Sequence, residues 1–172
     1  MGLNVSHFVS ATNVNDTVPL YLSGKEFYPK VSLPTISNAM DVGNPSNFGR
    51  MLELFHDSRQ EMQKEISAFS ISDSETENVM RTIYRKYSYI TDPHCAVGIA
   101  GWNCFNELHK DLKGIILETA HPAKFLESVE RILNIKVPLP AALKKLIAKT
   151  KNATKISSDS NELKDYLMSF RS

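Results

Sequence analysis

The chain has 172 residues, 42% of them hydrophobic and 23% charged, with 20 Lys+Arg against 19 Asp+Glu for a formal net charge of +1. That is the length of one ordinary domain with a globular composition, and the balanced charge removes the electrostatic case for a nucleic-acid or anionic-membrane partner. Cys95 and Cys104 match no zinc or CxxC spacing and read as free thiols of a reducing, cytoplasmic setting; no metal site is expected, and no apolar run approaches the ~20 residues that span a bilayer.

In chain order, VSHFVSA at 5–11 is a short β-prone run followed by Asn and Asp turn chemistry. Asp16 or Thr17 can cap a helix through PLYLSG, with Pro19 in its first turn and Gly24 as its stop. Residues 25–47 hold several prolines between isolated apolar runs and read as loop with one short strand. Phe48, Met51, Leu52 and Phe55 then recur at helical spacing, and a second helix is expected over 58–67. Ser72-Asp73-Ser74-Glu75 is a capping-box signature for a helix bearing Val79, Ile83 and Tyr87. Asp92-Pro93 repeats a start signal, Asp as N-cap and Pro at the first helical position, for a helix through Val97, Ala100 and Cys104. Gly114–Thr119 has the strongest pattern of a buried strand, and His121-Pro122 opens the next helix. VPLP at 137–140 breaks it, and two short amphipathic helices close the chain. Few strands among many helices imply an α/β fold with parallel connections, and so few strands cannot complete a parallel sheet, so the chain reads like the latter part of a larger fold.

SATNVND at 10–16, TISNAMDVGNPSNFGRMLELF at 35–55, DPHCAVG at 92–98 and TAHPAKF at 119–125 followed by VPLP resemble, in order and spacing, the C-terminal part of threonine synthases. The resemblance covers about residues 1–148; residues 149–172 read as a helical tail. It implies the C-terminal portion of the tryptophan-synthase-β-like fold (fold type II of the pyridoxal-phosphate enzymes), helix-rich with few parallel strands. It also implies a pyridoxal 5'-phosphate lyase converting O-phosphohomoserine and water to threonine and phosphate by elimination and addition. In that family the Schiff-base lysine and the glycine-rich phosphate loop lie upstream of the stretch matched here. The chain is therefore expected to be inactive alone, to need the missing N-terminal portion as partner, and to self-associate through unpaired strand edges. A non-catalytic oligomerising or ligand-binding module on the same scaffold is the alternative.

No residue of this stretch is assigned to catalysis. Thr119 fits, by resemblance, the neutral hydroxyl at the cofactor's ring nitrogen, against the plainer reading that it caps the next helix. Lys124, with His121, follows at a helix start where anions bind, against a solvated cation and a local cap. Asn44, Ser46 and Asn47 at another helix start are candidates for the substrate's phosphate or carboxylate, or an ordinary cap. His94 is a candidate substrate contact in the assembled enzyme or a structural first-turn histidine. Asn13, Asn15 and Asp16 receive no role beyond turn formation.

Overall fold

A computed structural model describes residues 4–110, 112–147 and 149–171, in two units divided between Pro138 and Leu139. In the larger unit, strand β1 (Phe8–Thr12) pairs in parallel with β2 (Ile66–Ser70), Phe8 opposite Ile66 and Thr12 opposite Ser70. A parallel pair needs a long crossover. Here it consists of α1 (Thr17–Leu22), an irregular segment with a 3-10 turn at Asn38–Met40, α2 (Phe48–Leu54) and α3 (Arg59–Glu65). The expected α/β, helix-rich architecture with few parallel strands is present.

Local chemistry sets the helix ends. Ser58 accepts from the Glu61 amide at 3.2 Å to start α3. Ser72 and Glu75 form a reciprocal capping box at α4 (Asp73–Tyr87), with the Ser72 amide donating to the Glu75 carboxylate at 2.8 Å. Asp92 caps α5 (Pro93–Leu108), and α6 (Leu126–Leu133) follows a 3-10 turn at Pro122–Phe125. Ser88 and Asn134 end α4 and α6 in the left-handed region, both at φ 53°.

Among the described residues, two apolar clusters contribute to the core. Val18, Tyr21, Leu22, Phe48 and Met62 join α1, α2 and α3, while Ile71, Val97 and Ala100 gather Ala11, Phe69 and Val79 around α5. Helix α5 lies so close to β1 that a Cβ added at Gly101 would stand 2.5 Å from the Cβ of Ala11. Arg81 and Arg131 both bind Glu77, at 2.7 and 3.0 Å, tying α6 to α4.

Three expectations change. Residues 66–67, read as the end of a helix, open β2 instead, and no strand forms within 25–47 among the described residues. Gly114–Thr119 is extended but joins no ladder, with Ile115 92% and Leu117 79% exposed while Ile116 packs toward Gly98. Only Ile116 of the run turns inward, and among the described residues no neighbouring strand supplies hydrogen bonds.

The smaller unit holds α7 (Ala141–Ile147) and α8 (Ser160–Met168). Asp159 caps α8 by accepting from the Asn161 amide at 2.8 Å, and Tyr166 donates to Thr154 at 3.1 Å. Leu163, Leu167 and Phe170 of its apolar stripe remain exposed.

Candidate functional site

The carboxyl end of β1 runs into Asn13, which is 1% exposed. Its Nδ2 donates to Thr35 Oγ1 and Asp41 Oδ1, each at 2.8 Å, and lies 3.2 Å from Ser37 Oγ. Asn15 donates to the Leu33 carbonyl and accepts from the Leu33 amide, at 2.9 and 2.8 Å. Asp41 also accepts from the Thr35 amide and hydroxyl. These short polar side chains replace the backbone pairing that the irregular segment lacks, so residues 33–41 are held in one conformation over the sheet's end.

The α5 start meets that loop. Asp92 Oδ1 accepts from the His94 amide at 2.9 Å and lies 2.8 Å from His94 Nδ1, while His94 Nε2 accepts from the Ala39 amide at 3.1 Å. Acceptance at Nε2 puts the ring proton on Nδ1, donated to Asp92. The imidazole also packs on Phe125, 4.6 Å between ring centres. His94 thus joins α5, the 33–41 loop and the turn after Thr119, with both ring nitrogens engaged.

A cleft of about 630 Å³ opens between residues 88–90, 118–122 and 137–138. Thr119 lines it, exposed, and its hydroxyl has no hydrogen-bond partner among the described residues. The capping role it might have filled belongs to His121, whose Nδ1 accepts from the Ala123 amide at 3.1 Å. Thr119 is left with a free donor and acceptor at the cleft, the chemistry a pyridine nitrogen needs; no lysine lines the cleft. Tyr89 donates to Glu118 across it. That bond, with burial and the Glu118 charge behind it, pushes the Tyr89 phenol up to about 12.

The remaining residues singled out in the sequence lie apart from this junction's contacts. Lys124 is exposed, its ammonium 5.7 Å from the Phe125 ring centre. Asn44, Ser46 and Asn47 precede α2, exposed and without side-chain hydrogen bonds among the described residues, so Asn47 is no ordinary cap. Sequence reading missed the Asn13–Asn15–Asp41 network and the proximity of Asp92, Cys95 and Glu118. Both depend on residues far apart in the chain, and only the polar composition of 10–16 and 35–41 hinted at the first.

The family description "Threonine synthase, C-terminal" matches residues 95–167. The threonine synthase of Haemophilus influenzae is 40% identical over 168 residues, covering 98% of this chain and 39% of the relative. The crystal structure of threonine synthase from Escherichia coli superimposes with a TM-score of 0.82 at 35% identity, over 98% of this chain and 39% of that one. The threonine synthase from Brucella melitensis, solved with PLP bound, gives 0.79 at 25% identity, over 97% and 41%. The chain thus spans about two fifths of the length of the relatives it matches. On this similarity, which runs over nearly the whole chain in both sequence and fold, the chain belongs to the threonine synthase family and corresponds to the C-terminal portion of its fold type II PLP-enzyme architecture.

Proposed function

We propose that this chain forms the ring-nitrogen side of a threonine synthase active site, completed by an upstream portion that supplies the lysine and the phosphate loop. The reaction is conversion of O-phosphohomoserine and water to threonine and phosphate. When bound, pyridoxal phosphate supplies the electron sink for elimination and addition. The observation that supports the assignment is the Thr119 hydroxyl, free of protein partners at the cleft while His121 takes the cap. A neutral hydroxyl orients the ring without forcing a charge on its nitrogen, unlike a carboxylate. Asn44, Ser46, Asn47 and Lys124 offer free polar heads for the substrate's phosphate and carboxylate. His94 contributes by holding residues 33–41 against α5. Similarity to enzymes over nearly the whole chain favours this reading over a non-catalytic module. Two free thiols fit a cytoplasmic setting, and no helix among the described residues is long and apolar enough to cross a membrane.

The test combines this chain with the upstream portion of the Haemophilus influenzae relative, adds pyridoxal phosphate, and follows phosphate release from O-phosphohomoserine. The mixture is expected to turn over and neither part alone. Thr119→Val should lower kcat about tenfold, the worth of one lost polar contact in a closed site. Unaided turnover by this chain, with borohydride fixing one equivalent of cofactor to one of its lysines, would overturn the reading; so would an unaffected Thr119→Val mixture.

A further inference from the structure

Asp92 caps α5, Cys95 lies one turn into the same helix, and Glu118 comes from the extended segment before Thr119. One carboxylate oxygen of Asp92, Sγ of Cys95 and one carboxylate oxygen of Glu118 all lie within 4.8 Å of one another. Asp92 is 0% exposed. Its Oδ1 takes both contacts from His94, while Oδ2 is buried with no hydrogen-bond partner, the only such carboxylate oxygen among the described residues. Leaving half of a buried carboxylate unmatched is costly unless a donor or cation meets it. His94 meets Asp92 only at Oδ1 and turns its other ring nitrogen to the Ala39 amide, so it leaves Oδ2 unmatched.

The third donor decides what kind of cation fits. A thiol beside two carboxylates is a poor site for K⁺ or Mg²⁺, which take oxygen ligands, and a good one for a borderline ion such as Zn²⁺. Zinc binds oxygen at about 2.0–2.2 Å and sulfur at about 2.3 Å, so its tetrahedral donors stand about 3.3–3.8 Å apart. Closing from 4.8 Å asks for about 1 Å of adjustment, available to the exposed Glu118 side chain. Tyr89 donates to Glu118, the kind of outer contact that orients a ligating carboxylate.

We propose that Asp92, Cys95 and Glu118 form a three-donor site for a thiophilic divalent cation, zinc being the ion that fits, with Tyr89 as a positioning residue for Glu118. On binding, the metal–sulfur bond forms as the Cys95 S–H proton leaves to solvent. Burial above all, then the charges of Glu118 and Asp92, holds the metal-free Cys95 thiol up in pKa, against a hydrogen bond from Thr91. A divalent ion reverses that balance. The proposal does not rest on the pyridoxal-phosphate reading, although Tyr89 and Glu118 line the same cleft as Thr119.

Co²⁺, titrated into the full chain, is the probe. One equivalent is expected to give a near-ultraviolet thiolate-to-metal charge-transfer band with release of one proton. Zn²⁺ should displace it, and hundredfold more Mg²⁺ or K⁺ should not. Cys95→Ser should abolish the band and Cys104→Ser leave it unchanged. Tyr89→Phe should weaken binding about tenfold and Glu118→Gln at least as much. No band, a band that survives Cys95→Ser, or displacement by Mg²⁺ overturns the proposal. If Cys95→Ser does not fold, Glu118→Gln decides, since that exposed side chain is not needed for folding: unchanged Co²⁺ affinity there overturns it.

Discussion

Asn13 bridges Thr35, Ser37 and Asp41 from inside the protein, so its loss leaves several buried polar atoms without partners at once. Asn13→Ala is expected to cost about 2–3 kcal/mol, read from the urea midpoint, and to speed amide exchange across residues 33–41 more than elsewhere. Tyr89 gives a second test. Its folded pKa, about 12, lies above the ordinary phenol value, so its bond to Glu118 contributes fully below that ordinary value and is lost as pH rises through about 12. An ultraviolet titration should show the Tyr89 phenol ionising late, and Glu118→Gln should lower its pKa. At this scale, legibility depended on whether a residue's partner was local. Asp92 was readable as a cap because its acceptor role is filled two residues on. Thr119 was ambiguous in sequence, and the competing role falls away only because His121 reaches the Ala123 amide first. Asn13 and Asn15 suit a turn and a buried network equally, and nothing within a few residues distinguishes them.

Helix α5 is the element on which the candidate site rests, and its seat on β1 depends on a missing side chain. Gly101→Ala would drive a methyl to 2.5 Å from Ala11, backbone-borne on both sides. The expected cost is about 1–3 kcal/mol, seen as a lower urea midpoint. The same variant displaces the Asp92–His94 start relative to the 33–41 loop, so it should also weaken any cofactor binding by the assembled enzyme. Helices α4 and α5 were legible because their start signals are contiguous and chemically specific. Strand β2 was not: ISAFS is too short for its period to be told from the helix that precedes it. Residues 114–119 present the opposite case, a strand-like pattern that finds no partner strand among the described residues.

At the scale of the molecule, Ile115 and Leu117 are exposed on a segment that pairs with no strand among the described residues, a template for another strand. Covering each side chain is worth about 1.5–3 kcal/mol. The chain alone is therefore expected to associate with itself in sedimentation velocity as concentration rises, and Leu117→Glu should reduce that association. A clean monomer at all concentrations would count against it. The strand pairing that is present has a kinetic side as well. Thr12 and Phe69, bonded across the sheet, are 57 residues apart, so the ladder cannot begin until a long loop has closed. Helices α4 and α5 need only their own residues and a short connection. During synthesis β1 must then wait for β2 until the whole crossover has emerged, while each later helix can form as it leaves the ribosome.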